Sequence, residues 1–278
     1  MALSILLICL ILDPLFSQFG PRYSLLSRRD FGKIAFLIIV ILHFGALIFF
    51  SSKALLPDFV ESTILFFVKD KWLPGFLKAF IAAGTIFGIL FLILLALSNL
   101  QIVEPLPVFT QKRLIKFSIG LVAAFTLAWS EELIFRGALY KYLVYHSFSP
   151  FWGAVIASII FSLSHNLVNP LSLVWPNWPL GLGLFLLGLL LNLLYIVTNK
   201  LYVNMGFHAG LVFAGRVIYR AFPFYAFVLP LPWWLNKDLR SAFIVQIIFG
   251  AIILFLLFRF KDKIFALPTI REQTELPN

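Results

Sequence analysis

The stretch Trp129-Ser-Glu-Glu-Leu-Ile-Phe-Arg-Gly137 sets two carboxylates and a guanidinium inside an almost wholly apolar run, residues 117–128 before it and 138–145 after it. Lys116 lies 15 residues before Glu131 and Tyr145 lies 14 after it, which on an α-helix is about 22 Å and about 21 Å. A charge at such depth in a bilayer costs ~2.5–3.5 kcal/mol on insertion scales. An ionisable group inside a membrane is therefore first a candidate functional group, and the rest of the chain reads as a scaffold around Glu131, Glu132 and Arg136.

Composition supports that reading. Of 278 residues, 62% are apolar and 12% charged, and the mean hydropathy is +1.00. A soluble domain is nearer 45–50% apolar and about 25% charged. The expected fold is an all-α, multi-pass transmembrane helical bundle of about eight spans. It forms a single membrane-embedded domain over residues 1–278, in the plasma or inner membrane if bacterial. Lys and Arg number 22 against 12 Asp and Glu, a net charge of +10. These cations fall in loops and tails beside apolar spans, which points to lipid headgroups and cytoplasmic loops as their partners. No basic cluster with interleaved aromatics argues for nucleic acid. The single cysteine, Cys9, rules out an intramolecular disulfide and a Cys-based metal site.

In chain order, residues 1–16 have no basic leader and no small-residue cleavage site, so they read as a retained first span or re-entrant segment. A basic loop follows (Arg22, Arg28, Arg29, Lys33), then a second span over 34–50 that contains His43. Residues 51–75 are mixed and suit an interfacial helix. The third span is 76–97, and the fourth helix, 114–145, carries the opening stretch. Ser149-Pro150 is a cap-and-start pair for a fifth helix running to His165. Residues 166–178 read as an interfacial connection, 181–197 as the sixth span and 201–218 as the seventh. Residues 221–235 hold three prolines, which argues against a regular span, and 241–258 is the eighth. Counted this way, the basic tail at Arg259–Lys263 falls on the side opposite the Arg22–Lys33 loop, against the positive-inside tendency.

Polar side chains at depth fall on three helices. Glu132 and Arg136 are four apart and able to pair on one face, whereas Glu131 lies about 100° around and remains uncommitted. His165 ends the next helix, with Phe161 one turn earlier on its face. The fourth and fifth helices are joined by a short turn and should be antiparallel, which puts Glu131 and His165 at similar depth. His208 follows on the seventh helix, with Asn204 one turn before it. Counted from Lys200, His208 sits about two turns shallower. A carboxylate beside a neutral imidazole can hold a water and take its proton. A second imidazole can serve an oxyanion. Equally, Glu131, His165 and His208 are candidate Zn²⁺ ligands with Glu132 nearby, and a metal-free mechanism is as open as a zinc one. The rival readings are a non-catalytic membrane scaffold and a proton-coupled transporter.

Glu131-Glu132-x-x-x-Arg136, Phe161-x-x-x-His165 and His208, in that order, resemble the three motifs of the CAAX-protease and bacteriocin-processing family. This is the membrane-embedded, or abortive-infection, family that includes the type II CAAX prenyl endopeptidases. The resemblance covers about residues 114–220. It implies an intramembrane endopeptidase acting on a membrane-associated peptide or protein. In that scheme Glu131 activates water with His165 as partner, Glu132 and Arg136 support the site, and His208 serves an oxyanion or metal site. The chain departs from the third motif at Val212, four residues after His208, where the family usually carries Asn or Asp. Asn204, one turn before His208, lies on the same face.

Overall fold

The computed structural model describes residues 71–97, 99–102, 110–145, 148–166, 169–218 and 225–266. The expected spans at 1–16 and 34–50, with Cys9 and His43, lie outside the described residues, as does most of the 51–75 stretch. All described residues fall in one compact unit, Pro57–Asn278.

That unit is mostly helical. Helix α1 is Trp72–Ala96. Helix α2, Gln111–Glu132, starts on Thr110, whose side chain accepts the Arg113 N–H at 3.3 Å. It runs on through a π-helical stretch, Leu133–Tyr140, into α3, Lys141–Tyr145. Helix α4, Pro150–Ser164, begins as the Ser149-Pro150 pair requires, with the Ser149 hydroxyl accepting the Trp152 N–H at 3.4 Å. Helix α5 is Trp178–Thr198. It stops at Asn199, whose left-handed φ of 50° suits an Asn that closes a helix. Helix α6, Leu201–Val212, is followed by a second π-helical turn, Phe213–Val217. Helices α7, Phe243–Arg259, and α8, Lys261–Ile264, are the last α-helices among the described residues.

Three of these helices are long and apolar enough to cross a membrane: Trp72–Ala96, Arg113–Val144 and Trp178–Thr198. Pro150–Ser164 and Phe243–Arg259 are apolar but shorter. Over its most apolar window α5 is 56% buried, against 22% for each of the other two, which makes α5 the most buried of the three. It packs between α4 and α7, while α6 packs on α1 and α2.

The expectation of a purely helical chain needs one correction. Leu100–Ile102 and Tyr225–Phe227 form a two-stranded antiparallel ladder, with Leu100 opposite Phe227 and Ile102 opposite Tyr225. It lies in the stretches between helices, where strands of three residues leave no readable periodicity. As the three prolines require, described residues 225–235 contain no helix.

The seat of α6 matters most for function. A Cβ on Gly206 would run into the Phe76 carbonyl, and one on Gly210 into the Phe80 carbonyl. Only glycine at both positions lets the α6 backbone lie directly on α1. Asn204 is two residues from Gly206 and His208 is two from either glycine, hence about 200° around the helix. Packing the glycine face on α1 therefore turns Asn204 and His208 toward α2 and α5.

Candidate active site

Glu132 is the hub. Its carboxylate is fully buried and meets three donors. Oε1 accepts from Arg136 Nη1 at 3.0 Å and from His208 Nδ1 at 2.9 Å, and Oε2 accepts from Asn204 Nδ2 at 3.3 Å. A buried carboxylate is tolerable only when paired and hydrogen-bonded in this way. The π-helical stretch opens directly after Glu132. Such stretches carry i→i+5 backbone bonds and occur often at functional sites. Within it sits Arg136, equally buried.

Arg136 reaches across to α5 and donates from Nη2 to the Gly188 carbonyl at 2.9 Å. Its guanidinium carbon lies 4.9 Å from the centre of the Phe161 ring, a cation–π distance. A Cβ on Gly188 would come within 3.0 Å of that ring and 3.2 Å of Ser158, so glycine lets α5 approach α4 here. Phe161 also meets Phe135 at 5.0 Å, His165 at 4.6 Å and His208 at 6.4 Å, centre to centre. One apolar ring thus touches both imidazoles and the buried cation.

His208 links the two neighbouring carboxylates. A carboxylate can only accept, so the Nδ1 that bonds Glu132 carries the proton in the neutral ring. Nε2 is then the lone-pair nitrogen, and it lies 3.7 Å from Glu131 Oε2. Glu131 differs from Glu132 in every respect that matters for chemistry. Its side chain is 18% exposed, and among the described residues its Oε2 has no hydrogen-bond partner. The pairing of Glu132 with Arg136 that their spacing allows is present, and Glu131 lies outside it.

His165 is not bonded to the glutamates. It follows the last turn of α4 and is exposed. Its Nδ1 is 2.8 Å from the Phe161 carbonyl, which fixes the proton there and leaves Nε2 open. It makes no hydrogen bond or ion pair with either glutamate; the imidazole beside Glu131 is that of His208. Counting from Lys200 as a membrane edge puts His208 two turns away, and that expectation is corrected. His208 Nε2 lies 3.7 Å from Glu131 Oε2, so the two side chains share one depth.

Among the described residues, no three His, Cys, Asp or Glu side chains gather closely enough to hold a metal ion. Each imidazole spends Nδ1 on an oxygen acceptor and keeps Nε2 open.

Sequence reasoning placed Asn204 beside His208 without giving it a contact. The signal was the four-residue spacing of two N–H donors on one helix face. Val212, the other neighbour at that spacing, offers no polar atom.

Long apolar helices closed around a sealed Glu–Arg–His cluster define a helical integral membrane protein. Within that class, residues 113–214 match the family model described as type II CAAX prenyl endopeptidase Rce1-like. The matched segment holds Glu131, Glu132, Arg136, His165, Asn204 and His208. Comparison with curated proteins and with solved structures gave no match.

Proposed function

We propose that this protein is an intramembrane endopeptidase that hydrolyses a peptide bond of a membrane-associated protein or peptide. The observation that carries this is the inequality of adjacent carboxylates. Glu132 is saturated with donors, while Glu131 keeps a buried, unpartnered oxygen 3.7 Å from the lone-pair nitrogen of His208. In the reaction, Glu131 takes a proton from water and the water oxygen adds to the scissile carbonyl carbon. His208 Nε2 accepts from the same water and orients it. His165, once protonated at its open Nε2, donates to the oxyanion. The C–N bond then breaks and the departing amine takes the proton held by Glu131. Glu132 and Arg136 hold His208 and touch no substrate. The scheme belongs to a multi-pass chain of about eight spans forming one domain, in which charged residues at the membrane edge meet lipid headgroups.

Val212 favours a second reading, a non-catalytic scaffold or immunity protein that keeps an ancestral pocket. The two separate when the full chain, in lipid vesicles, is given transmembrane and lipid-anchored peptides in ¹⁸O-labelled water. The peptidase reading expects fragments carrying ¹⁸O at a new carboxyl terminus. The scaffold reading expects association without fragments.

A further inference from the structure

Asn204 is fully buried on α6, and its Nδ2 makes two contacts at once. It donates to Glu132 Oε2 at 3.3 Å and to the Leu191 carbonyl of α5 at 2.5 Å. Both partners only accept, so the amide orientation is forced. Its own Oδ1 is left without a partner among the described residues. A carboxamide offers two N–H donors from one uncharged atom, which lets it join a carboxylate and a carbonyl without adding a charge. One side chain thus ties α2 to α5 from α6, on the face that the Gly206 and Gly210 contacts turn inward.

We infer that Asn204 is the positioning residue of the site. Pinning Glu132 Oε2 fixes the carboxylate plane and leaves Oε1 to receive the His208 Nδ1–H. That bond in turn sets the tautomer and directs the Nε2 lone pair toward Glu131. Without the tie, Oε2 is a buried carboxylate oxygen with no donor, Glu132 turns to satisfy it, and His208 loses its single tautomer. Four residues on the other side of His208, Val212 supplies no donor, so this duty falls to Asn204 alone on that face. The kinetic consequence rests on the peptidase reading; the tautomer does not.

The test uses the full chain in detergent micelles with ¹⁵N-labelled histidine, His208 being assigned by its loss in His208→Gln. Wild type is expected to show His208 in one form, protonated at Nδ1. Asn204→Ala is expected to show both tautomers and, on any peptide the wild type cleaves, a kcat lower by roughly 10- to 100-fold with KM little changed, the span seen when an outer-shell partner of a working histidine is removed. Asn204→Leu keeps a similar volume, loses the donors, and is expected to give the same mixture. A wild-type His208 protonated at Nε2 alone overturns the inference without any variant. So does an unchanged tautomer in either variant that retains wild-type circular dichroism. If the wild type cleaves nothing while the tautomer shift appears, the positioning role stands and the peptidase reading fails.

Discussion

His208 Nε2 stands 3.7 Å from Glu131 Oε2, beyond the 2.7–3.2 Å of a hydrogen bond. On the other side of the same ring, Nδ1 is bound to Glu132 at 2.9 Å. One imidazole therefore divides two carboxylates that are neighbours in sequence, one closed around its donors and one with an unpartnered oxygen. That division separates what holds the site together from what reacts, and it can be read in stability as well as in rate.

Removing either member of the buried Glu132–Arg136 pair leaves the other as an uncompensated charge, which typically costs about 3–5 kcal/mol. Glu132→Gln and Arg136→Met should each lower the thermal unfolding midpoint in detergent sharply, followed by tryptophan fluorescence. Glu131→Gln should leave the midpoint unchanged or slightly raised, because Glu131 Oε2 gives up no hydrogen bond and such working residues are commonly held at a cost in stability.

The two histidines should part along the same line. His208→Ala removes a donor from a fully buried carboxylate and should destabilise by about 1–3 kcal/mol. His165→Ala removes an exposed ring that bonds only its own helix carbonyl, and its unfolding midpoint should stay close to wild type. Both substitutions are expected to depress peptide cleavage. A His165→Ala protein as unstable as His208→Ala would place His165 among the supports.

The seat of α6 on α1 gives a packing test. Gly206→Ala and Gly210→Ala drive a methyl group into the Phe76 and Phe80 carbonyls and should cost about 1–3 kcal/mol. Gly84 and Gly88 on α1 have nothing within 4 Å of an added Cβ. Alanine there should be neutral or stabilising, by up to about 1 kcal/mol, through helix propensity. Unfolding midpoints of the four variants decide it.

Much of this was legible in the residues. Hydropathy located α1, α2 and α5, and the Ser149-Pro150 pair located the start of α4. The four-residue spacing of Glu132 and Arg136 gave their pairing and left Glu131 outside it. The depth of His208 was not legible. It depends on the Gly206 and Gly210 contacts and on where α6 begins, which are tertiary facts with no local signature. The π-helical stretch after Glu132 is equally silent, since Leu133 to Tyr140 reads as ordinary apolar helix. So is the bond from Arg136 to the Gly188 carbonyl, because a backbone acceptor on another helix has no residue type to announce it.

The most direct measurement is the cleavage rate of Glu131→Gln in vesicles, on a membrane-tethered peptide that the wild type cleaves. If Glu131 is the proton acceptor, the rate should fall by about 10²–10⁴-fold, while the unfolding midpoint and peptide binding stay at wild-type values. A Glu131→Gln protein that cleaves at the wild-type rate would contradict the assignment of the reaction to this carboxylate.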